Sequence, residues 1–459
     1  MRKKSIFIFA AGMVILAAQA YSTVTFFSKA EYAARRSRMM EQIPDGVAVL
    51  WGATSTVSDR QFFQNNDFYY FTGVEVPNAA LVIDGIRKES SLFYSLTEDE
   101  ARGEGLPLDL VHNPGEATGV ERTYPIERLT SSLMGLASRT GIFYTMFKPE
   151  ELMRENSNEK FRTFQNTITM NLWDGRLTRE LQFVQKLRSK FPHLQIKDCS
   201  RMVWDLRKIK SPAEIDVMRR AAQIGVKAHT ALIRCVRPGV SEKELAAVFQ
   251  YVCQKEGAND LAYYTILMSA ANHRYGHYHK HDRTLEDGDF VILDAGPDFG
   301  YYNADISTSF PANGKFSPRQ KELYTLANEV RKICLQNYRP GITLSDVGKK
   351  VEQHLVASGH DPGNPKYRGW IRYGGYNHSI GMATHDVMGT FAGPEEVLKP
   401  GFVFACDINF PFPEEEMGIR LEDVVVITET GCENLSDGVP RTLGEVEATI
   451  EEIGLGEEK

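Results

Sequence analysis

The sequence predicts an α+β protein in two units: an α/β-patterned N-terminal unit over about residues 27–200 and a second unit over 203–459. Three observations predict it. In the first unit, short apolar runs bounded by turn residues alternate with helical stretches. In the second, serine capping boxes open successive helices. Antiparallel strand pairs follow helices twice over, which suggests an internally duplicated domain, although no residue-level repeat marks it. The 459 residues are 42% hydrophobic and 25% charged, which fits globular units and excludes disorder, collagen and a disulfide-dense mini-protein. Lys plus Arg total 53 against 60 Asp plus Glu, a net charge of −7, and no basic stripe offers a surface to nucleic acid. A mean hydropathy of −0.32 excludes a polytopic membrane protein.

Residues 1–20 have the pattern of a signal peptide. Arg2, Lys3 and Lys4 precede an apolar run from Ile6 to Ala18, and Ala18-Gln19-Ala20 fits a small-x-small cleavage site. The run falls short of the roughly 20 residues that span a bilayer, so no stable membrane insertion is expected. The expectation is a periplasmic or secreted protein whose mature chain begins near Tyr21. In the first unit, Val47–Leu50 and Ala80–Ile83 are strand patterns, and Asp67–Phe71 is read as an aromatic strand. Leu177–Phe191 is an amphipathic helix pattern. The six cysteines form no CxxC pair, so neither a zinc knuckle nor a redox motif is supported. Cys235 and Cys253 lie in apolar runs as small buried residues do.

The second unit opens at Ser211-Pro212-Ala213-Glu214, a capping box with Pro at the first helical position, and its helix stops before Pro238-Gly239. Ser241–Glu244 and Ser317–Gln320 start two more helices, and Ser345–Ala357 a fourth. The paired strands are Phe290–Asp294 with Ala304–Phe310, and Phe402–Ile408 with Ile419–Ile427.

These strands carry the chemistry. Asp294 ends one apolar strand and Asp305 follows eleven residues later. With Pro297–Gly300 as the turn, Asp294 would stand opposite Asn303 and share a face with Asp305, roughly 7–8 Å away on the diagonal. Two acids on one apolar face repel and lose hydration unless a cation sits between them. Asp407 and Glu422 repeat the arrangement, and Arg420 shares their face, where a bidentate grip on a carboxylate is open to it. Asn377–Asp386 adds His378 and His385 in a glycine-containing loop. Four carboxylates and an imidazole suit two divalent ions of the Mn, Co, Fe or Zn kind. His277, His279 and His281 alternate as on a strand, and periodicity does not choose among them.

The dispersed pattern Leu293–Gly296, Ala304–Ser307, Asn377–Asp386 and Gly418–Asp423 resembles the M24 metallopeptidases of aminopeptidase P (Xaa-Pro aminopeptidase) type. Leu206–Ala222 is similar to the start of that family's catalytic domain, and Arg35–Gly52 and Asp67–Gly73 to its N-terminal domain. The resemblance implies a C-terminal pita-bread (creatinase/aminopeptidase) domain behind an α/β N-terminal domain. It implies metal ligands at Asp294, Asp305, His378, Asp407 and Glu422, holding two divalent ions, manganese first and Co, Zn or Fe as alternatives. It implies that a hydroxide bridging the metals attacks the scissile carbonyl. It also implies catalytic roles for His385, which binds substrate and steadies the tetrahedral intermediate, for His277, a further substrate contact, and for Asp407 as proton acceptor. Arg420 joins them as the fixer of a carboxylate. The implied substrates are peptides with proline second, and the implied state is a homo-oligomer. Two positions depart from the family. Asp407 stands where it has Glu in a VEPG motif, and Gly374-Gly375 where it has His-Gly. A prolidase-like dipeptidase, an aminopeptidase of altered specificity and a metal-free binding protein stay open as alternatives.

Overall fold

The computed structural model describes residues 25–55, 61–375, 377–387, 393–452 and 454. Residues 1–20, read above as a signal peptide, lie outside the described residues. Among these residues no helix is long and apolar enough to cross a membrane.

The first unit is a six-stranded mixed sheet in the order 122–124, 89–93, 80–84, 47–51, 142–145, 195–198. Its central strands Val47–Trp51 and Ala80–Asp84 are almost wholly buried, which suits their unbroken apolar runs. The segment predicted as an aromatic strand is instead a buried helix, Asn66–Thr72. Its ends explain the correction. Asn65 caps the start by accepting from the Asp67 N–H, and Gly73 closes it at φ 66°, a left-handed turn that favours glycine. With all seven residues buried, no alternation separates strand from helix.

The second unit is built on a larger antiparallel sheet in the order 378–379, 403–412, 417–427, 306–311, 290–295, 266–269, with Cys432–Asn434 paired beside 417–427. Pro212–Arg234, Glu242–Lys255 and Pro318–Asn337 all begin with the predicted capping boxes. The fourth helix, expected over Ser345–Ala357, runs over Leu344–Ala357 with Thr343 as its cap. Side chains along the sheet's long strands alternate between its two faces. Phe404, Cys406, Ile408, Ile419, Leu421, Val291 and Leu293 face a core shared with Leu323, Val330, Val347 and Val351 of the helices. The opposite face carries the acids. All six cysteines are free thiols, and Cys235 and Cys253 are buried in that core.

One register differs from expectation. Asp294 pairs with Ser307, not Asn303, because the turn is the two-residue Gly300-Tyr301 beyond Phe299 and Tyr302. The slip is four residues, an even number, so Asp294 and Asp305 keep the same parity. The hairpin also breaks between Ala295 and Pro297. A side chain at Gly296 would put its Cβ 1.8 Å from the Ala304 carbonyl oxygen, so glycine is required there.

The two units share an apolar cluster that joins Tyr69 and Phe71 to Ile306, Ala405 and Val426. At its edge sits a buried charge hub. Arg207, from the helix Ser200–Lys208, contacts Asp67 (2.7 Å), Glu151 (2.6 Å) and Asp386. Lys210 adds a second cation 2.9 Å from Asp386. Asn66 Nδ2 donates both to Glu151 (2.9 Å) and to the Met382 carbonyl (2.8 Å). Burial and the neighbouring acids push Asp67 up to about 6 despite the guanidinium. Removing one partner of such a cluster leaves buried charge without compensation. Arg207→Met is therefore expected to cost about 3–5 kcal/mol of unfolding free energy, read as a lowered urea midpoint.

Candidate metal centre and its cavity

All eight predicted site residues converge on one cavity of about 430 Å³. The convergence follows from the register of the sheet. Asp407 pairs with Glu422, Glu422 with Ser307, and Ser307 with Asp294, so one row crosses four strands. Directly paired residues point to the same face, which puts three carboxylates and a hydroxyl in line. Asp305 enters beside this row from the break in the hairpin. His378 comes from the edge strand His378–Ser379, where it pairs with Ala405, two residues from Asp407.

Asp294 and Asp305 are each 4% exposed, Asp407 8% and Glu422 2%. His378 Nε2 lies 3.4 Å from Asp305 Oδ2 and 3.4 Å from Glu422 Oε1. Asp305, His378 and Glu422 each offer a ligand atom, and these atoms lie within 4.8 Å of one another. Ser307 Oγ donates to Glu422 Oε2 at 2.7 Å and fixes that carboxylate's rotation. Burial, then Glu422 and Asp294, hold the Asp305 carboxyl far above its ordinary range. Burial and Glu422 do the same to Asp407, against the pull of Arg420. Asp407 Oδ1 is buried with no hydrogen-bond partner.

Arg420 contacts Asp294 through Nη1, and its Nε stands 4.0 Å from Asp407. It spans two acids with one contact each, in place of the expected bidentate grip on one. Four carboxylates thus face a single fixed guanidinium. That surplus of buried negative charge, with an imidazole among the donors and one oxygen unpartnered, fits divalent cations.

Sequence reasoning missed Tyr263. Its hydroxyl donates to Asp294 Oδ1 at 2.6 Å and also contacts Asp305 Oδ1. One hydroxyl proton serves one carboxylate at a time, so the pair meets there at close quarters. Nothing in the run Ala262-Tyr263-Tyr264 distinguishes this tyrosine from its neighbour. The first unit walls the cavity through Arg154, Asn156 and Glu159, three residues that no sequence motif singles out.

The histidines sort by position. His277 lines the cavity beside Arg420, and burial holds its imidazole below the ordinary range. His279 also borders the cavity, while its Nδ1 and the Nε2 of His281 point at the Thr265 carbonyl, at 3.3 and 2.9 Å. The segment holding all three is irregular, not the strand their alternation suggests. His385 lies beside His378, with ring centroids 4.3 Å apart and the ring planes tilted by 60°. Gly374 ends the short helix Arg368–Tyr373 at φ 62°.

A family profile described as metallopeptidase family M24 matches residues 216–429, and one described as aminopeptidase P, N-terminal domain matches 32–144. The chain is 30% identical over 456 residues to the Xaa-Pro aminopeptidase of Escherichia coli (strain K12), covering 92% of this chain and 98% of that one. It is 26% identical to the mitochondrial intermediate cleaving peptidase 55 of Arabidopsis thaliana, covering 92% and 82%. The fold superposes on the aminopeptidase P from E. coli with the inhibitor Pro-Leu with a TM-score of 0.74 at 28% identity, over 92% of this chain and 98% of that one. Proline aminopeptidase P II from Yersinia pestis gives 0.74 at 26%, over 92% and 99%.

Metal uptake tests the centre directly. In equilibrium dialysis with Mn²⁺, Ser307→Ala is expected to weaken uptake about tenfold by freeing Glu422 to rotate, and Glu422→Gln by more than about a hundredfold.

Proposed function

The chain belongs to metallopeptidase family M24, with an aminopeptidase P N-terminal domain, and we propose that it is the metallo-aminopeptidase that releases the first residue from peptides with proline second. The observation that carries this reading is the meeting of Asp294, Asp305, His378, Asp407 and Glu422 with His277 and His385 in one cavity walled by the N-terminal unit. A wall at that place suits a site entered by the end of a peptide rather than by its middle.

Two divalent ions, manganese by preference, would be held by the four carboxylates and His378, and would supply Lewis-acid activation of the scissile carbonyl and of water. Zinc is also compatible, since a Zn-substituted E. coli aminopeptidase P has been solved with product. The protein's own groups do the rest. Asp294, held by Arg420 and Tyr263, offers negative charge to the substrate's free amine. Asp407 accepts the proton of the attacking water, a task for which its raised affinity for protons suits it. His277 and His385 flank the scissile carbonyl, His277 as a donor to the developing oxyanion and His385 as a contact that positions the substrate. Positions 1–20 lead us to place the mature enzyme outside the cytoplasm, its sequence starting near Tyr21 on N-terminal sequencing.

The activity is tested with Xaa-Pro-Xaa tripeptides. Release of the first residue is expected with Mn²⁺ and is abolished by a chelator. Turnover of Xaa-Pro dipeptides alone would instead indicate a dipeptidase, the activity named for a Pyrococcus horikoshii relative 28% identical over 312 residues. Asp407→Asn is expected to lower kcat by about a hundredfold or more. Asp407→Glu, which restores the longer acid of the family, retains turnover.

A further inference from the structure

We propose that Glu159, in the N-terminal unit, is a positioning residue for His385. The inference deepens the function proposed above and rests on it for the kinetic part of its test.

Glu159 lies on the helix Ser157–Thr163, and its Oε1 is 2.9 Å from His385 Nδ1. An imidazole nitrogen that faces a carboxylate carries the proton. The contact therefore commits Nδ1–H to Glu159 and leaves Nε2 as the ring nitrogen for a substrate. The grip is double. Asn156 Nδ2 donates to the His385 carbonyl, while Asn156 Oδ1 accepts the Glu159 backbone N–H at 3.3 Å as the helix cap. One turn of the first unit thus holds residue 385 by ring and backbone together.

That turn is anchored in its own right. The Ser157 N–H donates to Glu151 Oε2 at 3.1 Å, and Glu151 Oε1 receives Arg207. Arg207 also binds Asp386, the chain neighbour of His385. Both sides of the Glu159–His385 contact return to one guanidinium, so the two groups meet at a fixed separation. The pair itself is partly exposed, 38% for His385 and 48% for Glu159, and an ion pair of that kind adds little to stability. A contact that contributes little to folding yet is supported from both sides is the pattern of an orienting contact.

The test uses the full-length, metal-loaded protein and its Glu159→Ala and Glu159→Gln variants. Glu159→Ala is expected to lower kcat on an Xaa-Pro-Xaa peptide about tenfold to a hundredfold, as loss of orientation does. KM stays within about twofold, and metal content by elemental analysis is unchanged. Glu159→Gln keeps an acceptor oxygen and recovers most of the rate. Independently, ¹⁵N spectra of histidine-labelled protein should show His385 as a single Nδ1–H tautomer in wild type and Glu159→Gln, and as a mixture in Glu159→Ala. Wild-type kcat in Glu159→Ala, a loss that Glu159→Gln does not restore, or an unaltered His385 spectrum would each overturn the proposal. Should the wild-type protein cleave no such peptide, the proposed activity fails, and the nitrogen spectrum alone decides the contact.

Discussion

Arg207 is the constraint on which the arrangement depends. Three acidic side chains from three segments, Asp67, Glu151 and Asp386, are buried around it. Separately, each would cost several kcal/mol to desolvate. Together they are tolerable only while the guanidinium and Lys210 lie among them. Because two of the acids belong to the first unit and the third to the second, the units cannot shift against each other without exposing a bare charge. The loop that carries His385 is held in the same act.

The metal-site face is organised by the opposite logic. Acids there outnumber fixed cations, and the sheet brings them into line by register alone. Asp407, Glu422, Ser307 and Asp294 stand abreast because antiparallel pairing permits no other parity. The far face of the same strands supplies the apolar contact that keeps the row straight. The molecule thus contains one charge cluster that is complete within the protein and one that is left open to a cation.

Much of this was legible in the chain. Odd separations of acids across a turn predicted a shared face for Asp294 with Asp305 and for Asp407 with Glu422. That prediction tolerated a four-residue error in the first hairpin, since parity survives an even slip. The capping boxes located helix starts well, because that signal is local. What escaped were features fixed by distant partners. Asp67–Phe71 is aromatic enough for a strand, and burial on every side erases the alternation that would have told it from a helix. Tyr263 lies 31 residues from Asp294, and Glu159 lies 226 residues from His385. No spacing rule spans such separations, and single carboxylates and tyrosines are too common to stand out unaided.

Asn156 draws two demands onto one side chain. As a helix starter it has equals, since aspartate or serine would accept the same backbone proton. As a donor to the carbonyl of residue 385 it has none among them of like reach, because aspartate has no hydrogen to give and the hydroxyl of serine is shorter. An exchange that secondary-structure preference scores as neutral would therefore sever a link between two halves of the molecule. Which end of the amide faces which partner is settled as well, because turning it over would break both bonds at once.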